Sequence, residues 1–169
     1  WVDGAPDRAR QVTGAAGVES KSVPRRRSVF IVHSNAVKPL DDARVRQARN
    51  YAVDKQSITA GLLLGYGNPI PSLLGPMYLG EDKSLNPYPY DPAKAKQLLA
   101  VAGYPDGFSL TLNAYSGPRP SDKEVAQAVA GMLEKVAVKV NLTVRECGTY
   151  MDAYRLHQLS PPYFMSFGP

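Results

Sequence analysis

Residues 108–144 read FSLTLNAYSGPRPSDKEVAQAVAGMLEKVAVKVNLTV, and this stretch decides the fold. Residues 108–114 and 138–144 alternate apolar and polar side chains, which is the period of a strand with one face turned inward. Between them, residues 121–136 carry apolar side chains at helical spacing, behind a Ser121–Glu124 capping box. The predicted buried stripe is Val125, Val129, Met132, Leu133 and Val136. Strand, helix and strand in this order predict a right-handed crossover and a parallel strand pair.

The rest of the chain extends the same pattern in both directions. Residues 28–34 (SVFIVHS) form a β-branched and aromatic run whose continuous apolar centre predicts an internal strand, buried on both faces. Further predicted elements are a helix from Asp42, a second helix from Asp54 to about Leu64, a helix over 91–103, a helix over 149–159 and a strand over 163–167. Residues 65–90, with five prolines, are predicted to be an ordered loop. Together, these predicted helices and strands indicate a protein of the α/β class.

The helix that begins at Asp42 is amphipathic. Val45, Ala48 and Ala52 fall on one stripe, which we expect to be buried. The basic side chains of this region are expected to point elsewhere; they are Arg44, Arg46, Arg49 and Lys55. Asp42, Asp54 and Asp91 each precede a predicted first turn, where a carboxylate can accept free amide hydrogens.

Composition and charge narrow the class of function. The chain has 169 residues, 44% of them hydrophobic and 21% charged, which fits one globular domain with or without an arm. Its net charge of +5 arises in residues 1–50, where ten Lys or Arg face five acids; residues 51–169 hold ten of each. Arg25, Arg26 and Arg27 have only Phe30 nearby, whereas a nucleic-acid surface spreads basic and aromatic residues over a face. We therefore expect no nucleic-acid partner.

Few residues offer redox, metal or catalytic chemistry. Cys147 is the only cysteine, so a disulfide framework or a multi-thiolate metal site is excluded. His33 and His157 are too far apart for a helical ligand pair, and we expect neither a metal nor a cofactor. His33 is expected to be a core residue hydrogen-bonded to backbone. The enzyme alternative is a small α/β hydrolase-like protein that uses Glu146 or His157 as a base in a strand-end cleft.

Two blocks of sequence resemble a known family. Residues 39–48 (PLDDARVRQA) with 51–55 (YAVDK), and residues 90–108 (YDPAKAKQLLAVAGYPDGF), resemble the solute-binding proteins of bacterial ABC importers, family 5, the oligopeptide and dipeptide type. The likeness extends over about residues 28–167. Family members fold into two α/β lobes that close on a ligand by hinge motion. The resemblance thus implies one lobe of a periplasmic-binding-protein-like (type II) fold, with a mixed sheet flanked by helices.

The resemblance also implies a domain division and a role. Residues 1–34 would be an N-terminal arm and a lobe-crossing strand, and residues 35–169 a partial second lobe. The whole protein would bind a peptide or peptide-like solute outside the cytoplasm and deliver it to an ABC transporter permease, to which it associates at the membrane. Half a cleft is not expected to bind peptide tightly, and the cut sheet is expected to favour self-association.

Three residues are the candidate ligand contacts. Arg119 lies in the loop between a strand end and a helix start, where open α/β sheets bind ligands, and a guanidinium matches the two oxygens of a carboxylate. Arg119-Pro120 also resembles the Arg-Pro that pairs with the substrate carboxylate in dipeptide-type members. Tyr115 and Tyr150 are predicted to line the same cleft, although tyrosines at strand ends are also common at the edge of a core.

Overall fold

A computed structural model describes residues 27–75, 78–117 and 121–167. The strands are β1 (Ser28–Val32), β2 (Phe108–Ser116), β3 (Val138–Glu146) and β4 (Tyr163–Phe167). The helices are α1 (Ala43–Ala52), α2 (Lys55–Ser57), α3 (Pro92–Val101), α4 (Asp122–Glu134) and α5 (Cys147–Arg155), and a π-helical turn, Ile58–Leu62, continues α2. The predicted α/β class is confirmed, with each predicted helix and strand in this part of the chain present within a few residues of its expected bounds.

The described strands form one mixed sheet in the order β1-β4-β2-β3. β2 and β3 pair in parallel over their full length, from Phe108 opposite Val138 to Ser116 opposite Glu146. β4 is parallel to β2, but the register joins them only at Asn113 and Tyr163, and β1 is antiparallel to β4. The predicted parallel pair is therefore confirmed, with α4 as the connection between its strands.

The position of β1 differs from the prediction. The apolar run from Val29 to Val32 predicted an internal strand, yet within the described sheet β1 lies at an edge and pairs with β4 alone. Val29 is 46% exposed, and Phe30 and Ile31 line an open pocket. A β-branched run indicates extended backbone and an apolar environment, but it does not say whether that environment is a second strand or a cavity wall.

Three aspartates begin helices as predicted. Asp42, Asp54 and Asp91 each accept a backbone N–H of the first turn, at 2.8 or 2.9 Å. Asp91 also donates its own backbone N–H to the Tyr51 carbonyl at 2.9 Å, which ties the start of α3 to the end of α1. Gly103 follows α3 with φ +92°, a conformation that glycine adopts without strain and that ends the helix.

The capping box predicted at Ser121 and Glu124 is wrong. Ser121 has φ +78° and makes no side-chain hydrogen bond to the first turn of α4. Its hydroxyl instead lies 3.5 Å from the Leu62 carbonyl, at the end of the π-helical turn. Because the backbone at Ser121 is left-handed, its side chain does not reach the first turn of the helix. The pattern therefore predicted the correct start of the helix but not its local geometry.

The core lies between the β2–β3 pair and the helices. On α1 the predicted stripe is confirmed, since Val45, Ala48 and Ala52 are buried. On α4, Val129 and Leu133 are buried, and so is Val136 just beyond it, whereas Val125 and Met132 are half-buried. The central strand β2 contributes Leu110, Leu112 and Ala114 to the same cluster.

Residues 65–90 contain no helix or strand in their described part, as the prolines predicted. Residues 66–73 of this segment fold back over the sheet and form one wall of the pocket described below. Among the described residues, helices are all too short and too polar to cross a bilayer.

Candidate functional site

A pocket of about 680 Å³ lies beside the carboxyl end of β2 and is partly open to solvent. Its walls come from β1, α1, α2 with the π-helical turn, residues 66–73 and one face of α4 from Asp122 to Leu133. Most of the lining is apolar, and Tyr115, Ser121 and Asp122 mark the end where β2 stops and α4 begins. Ligand sites in open α/β sheets are found at this end of the strands. The volume also falls within the range typical of small-molecule sites, ~300–1,000 Å³.

The structure brings the two candidate tyrosines together, but in different positions relative to the pocket. Tyr115 lines it, with 6% of its surface exposed. Tyr150 is fully buried behind Tyr115, with the two ring centroids 5.0 Å apart. Its hydroxyl donates to the Phe164 carbonyl at 2.6 Å, and burial raises the pKa of the phenol above its ordinary value. Tyr150 thus packs against the ring of Tyr115 and supports it. Contact of either ring with a solute stays a prediction.

Arg119, the third candidate, lies outside the described residues. The described residues on either side of it are Gly117, directly after β2, and Ser121, directly before α4. A Cβ at Gly117 would lie 2.8 Å from the Cβ of Cys147, so the chain passes very close to the start of α5 at this point. Cys147 is half-buried and is the first residue of α5.

The residue that sequence reasoning missed is Arg49 on α1. It was expected to point away from the buried stripe, yet it is only 8% exposed and lines the pocket. A signal was present, because Arg49 stands four residues after Val45 and three before Ala52, which is the spacing of the buried face. Its charge led to the wrong expectation, since an arginine is rarely buried without a partner.

The polar groups around Arg49 are mainly basic. His33 also lines the pocket and is half-buried rather than a core residue. Burial, and then the positive charges of Arg49 and Arg46, lower the pKa of His33 below its ordinary value. Burial also lowers the pKa of Lys55, whose ammonium donates to the Asn50 carbonyl at 2.9 Å.

A hydrogen-bond network at Asn113 links β2 to the neighbouring parts of the chain. The Asn113 side-chain amide donates to the Ser160 carbonyl at 2.8 Å, and its oxygen accepts from Arg145 at 3.0 Å. Its backbone N–H donates to the Pro162 carbonyl at 3.1 Å. Asn113 therefore joins the carboxyl end of β2 to β3 on one side and to the segment that leads into β4 on the other.

The two bases of the enzyme alternative do not meet in the pocket. The Glu146 carboxylate accepts the backbone N–H groups of Gly148 and Thr149 at 2.8 and 3.2 Å, which lowers its pKa below the ordinary value. His157 is exposed, follows α5 and has φ +56°. Neither residue lines the pocket. Across the described ranges, no three His, Cys, Asp or Glu side chains come together as a metal site requires.

Comparisons with known proteins agree with this architecture. Residues 1–163 match the family described as bacterial extracellular solute-binding proteins, family 5 Middle. The chain is 37% identical over 131 residues to the glutathione-binding protein GsiB of Salmonella typhimurium, covering 78% of this chain and 25% of that protein. It is 34% identical over 138 residues to heme-binding protein A of Haemophilus influenzae, covering 80% and 25%. The chain thus spans about a quarter of the length of these curated relatives.

Solved structures show the same fold. The periplasmic binding protein DppA of Helicobacter pylori, in complex with the peptide STSA, superposes with a TM-score of 0.84 at 23% identity, covering 98% of this chain and 31% of that one. HbpA2 of Haemophilus parasuis superposes with a TM-score of 0.83, also at 23% identity, covering 96% and 32%. The fold is therefore that of a type II periplasmic binding protein, as predicted. From its sequence match and its architecture, the chain belongs to the bacterial extracellular solute-binding proteins, family 5.

Proposed function

We propose that the chain forms most of one lobe of a protein that binds a peptide-like solute outside the cytoplasm. Residues 35–169 would form the partial lobe, and residues 1–34 an arm and the strand that crosses between lobes. The observation that carries the proposal is the pocket at the carboxyl end of β2, with Tyr115 on one side and the start of α4 on the other. The second lobe would close over this opening by hinge motion.

The proposed role is delivery rather than chemistry. The solute would pass unchanged to an ABC permease, with which the protein associates at the membrane. The position of Glu146 supports a binding role, because a general base needs a pKa near the working pH and the amides that Glu146 accepts lower its pKa. A screen for hydrolysis that found activity, lost on Glu146→Gln, would favour the enzyme alternative.

Three defined peptides test the solute class. Relatives and structural neighbours are named for, or contain, glutathione, the dipeptide Met-Leu and the tetrapeptide STSA. We expect at least one of them to bind, when followed by calorimetry, to the longer protein that includes the opposing lobe. The 169-residue chain should bind the same peptide at least about 100-fold more weakly, because one wall cannot enclose it. Equal affinity, or no binding of any of the three, would contradict the proposal.

Arg119 is proposed to pair with the carboxylate of the solute. For whichever of these peptides binds, Arg119→Met should weaken the affinity at least about tenfold, because a charge-assisted pair is lost. The matched control is the same peptide with a C-terminal amide, whose weaker binding should not change further in the variant. If the variant weakens both peptides equally, Arg119 shapes the loop and does not bind the carboxylate.

Self-association of the chain is a further part of the proposal. β1 and β3 are the edges of the described sheet, and unpaired strand edges favour contact between copies. Light scattering should show a mass that rises with the concentration of the chain. A strict monomer at high concentration would count against this part only.

A further inference from the structure

Among the described residues, Arg49 is a buried cation that has no partner. Its side chain is more than nine-tenths buried against the pocket, and its Nε has no hydrogen-bond partner. Among the described residues, the guanidinium makes neither a hydrogen bond nor an ion pair. Burial lowers its pKa to about 10, so the group remains positively charged at neutral pH. An arginine in this situation normally has a carboxylate or several carbonyl groups around it, because an uncompensated buried charge is strongly destabilising.

Two of the neighbouring cations, Arg46 and Lys55, are bonded to backbone carbonyls, whereas Arg27 has an Nε without a described hydrogen-bond partner but is only half-buried. Arg46 also lines the pocket, but its Nη1 donates to the carbonyls of Leu40 and Asp41 at 2.9 and 2.8 Å. The Lys55 ammonium is likewise used by a backbone carbonyl. Arg49 therefore differs from the other described basic residues of the pocket in being buried, and its guanidinium is bonded to nothing described there.

The charge of the pocket is unbalanced. Arg27, Arg46, Arg49 and Lys55 line it together with His33, while Asp122 is the one acid among its described lining residues. The remaining lining is mostly apolar, which reduces the local dielectric constant and strengthens any interaction with an anion. A pocket with this composition favours a negatively charged group that brings its own oxygens to Arg49.

We propose that Arg49, with His33 beside it, forms a subsite for an acidic group of the solute, a second carboxylate in addition to the one assigned to Arg119. The inference rests on the proposed solute-binding function and narrows it from peptide-like solutes in general to acidic ones. The two oxygens of the carboxylate would take the hydrogen bonds that Arg49 lacks. Apolar side chains around it would contact the carbon chain that carries the acidic group.

Glutarate is the probe that tests the subsite directly, and glutaramide is its neutral isostere. In NMR titrations of the 169-residue chain, the Nε–Hε signal of Arg49, assigned by its absence from Arg49→Met, should shift with glutarate and saturate in the millimolar range. Glutaramide should produce no saturating shift. Equal responses to the two compounds, or a shift that never saturates, would overturn the proposal.

Variants separate binding from folding. Arg49→Met should weaken glutarate binding at least tenfold, as reported by the backbone signals of Tyr115 and Ser121, and should raise the thermal midpoint of the free chain. Arg155→Met removes the same charge from an exposed position of α5 and should change neither. If Arg49→Met fails to fold, Arg49→Lys keeps the charge and should retain weakened binding. A folded Arg49→Met that binds glutarate like the wild type contradicts the subsite. If only Arg49→Lys folds, the absence of any glutarate-induced shift at Tyr115 and Ser121 contradicts it.

The peptide titrations distinguish this failure from failure of the general function. If a peptide binds the wild type and Arg49→Met equally while glutarate does not bind, the subsite is wrong and the binding function stands. If glutarate saturates the Arg49 signal while glutathione, Met-Leu and STSA all fail to bind, the subsite stands and the peptide class is wrong.

Discussion

The two halves of the sheet are built differently. The β2–β3 half pairs over nine residues of each strand and packs tightly beneath α4, with Leu112 and Val138 fully buried. The β1–β4 half is antiparallel, shorter, and joined to β2 by a single registered pair. Beside it lies the pocket with Arg49, which has no partner in the described part of the chain. The comparison indicates that the β2–β3 half, called the closed half below, provides stability. The β1–β4 half with its adjoining pocket, called the open half, leaves space and unsatisfied charge that a solute can use.

The largest effect is expected in the closed half. Leu112→Ala removes a fully buried side chain from the centre of β2 and should lower the free energy of unfolding by about 2–5 kcal/mol, measured by urea denaturation. Leu79→Ala is the matched control, because Leu79 is completely exposed and its loss should cost less than about 0.5 kcal/mol. Similar losses in the two variants would mean that the β2–β3 half is not the source of stability.

The open half should respond with the opposite sign. Arg49→Met replaces a buried charge that has no partner among the described residues by an apolar side chain of similar length, which should raise the free energy of unfolding by about 1–3 kcal/mol. The measurement is again urea denaturation without solute, with Arg155→Met as the control. A lower stability in Arg49→Met would show that Arg49 supports the fold, and the contrast between the two halves would then fail.

The junction between the halves gives a smaller loss. Tyr150→Phe removes the hydroxyl that donates to the Phe164 carbonyl, so a buried acceptor is left without its partner. We expect a loss of about 1–2 kcal/mol in the free energy of unfolding. Tyr154→Phe, at a more exposed position of the same helix, should be nearly neutral. If Tyr150→Phe is equally neutral, Tyr150 does not fasten β4 to the closed half.

Much of the fold could be predicted from the sequence because its signals are local. The aspartates at helix starts and the alternation in residues 108–114 and 138–144 act within a few residues, and the structure has the predicted elements there. The edge position of β1 could not be predicted in this way, because it depends on which other strands lie nearby. Ser121 shows a third case: its pattern matched a capping box, but the left-handed backbone removed the expected hydrogen bond.

The site was harder to predict than the fold. The strand-end location and Tyr115 follow from the order of elements, and the structure places Tyr115 at a pocket. Arg49 was missed because its charge outweighed its helical spacing, although that spacing matched Val45 and Ala52. Burial of a charged group depends on the whole surrounding cavity, which a single helix pattern does not describe.

The smallest predicted effect concerns pH and His33. Burial and the charges of Arg49 and Arg46 lower the pKa of His33 in the folded chain, so the unfolded chain binds the proton more readily. Stability from this source is full above the ordinary pKa of about 6.5 and decreases as the pH falls below it toward the folded value. Arg27 and Lys55, which line the same pocket, add positive charge, and Asp122 opposes them.

Urea denaturation of the free chain at pH 7.5 and 5.5 measures this effect above the range in which the capping carboxylates become protonated. The wild type should lose stability between these values, His33→Asn should lose less, and His157→Asn, which changes the exposed histidine, should behave like the wild type. With glutarate present the difference should shrink, because an anion beside Arg49 favours the protonated imidazole. From pH 7.5 to 5.5, glutarate binding should change more favourably in the wild type than in His33→Asn, a comparison that cancels the titration of glutarate itself. If glutarate binding depended on pH equally in the wild type and in His33→Asn, His33 would take no part in the open half, and Arg49 alone would account for its difference from the closed half.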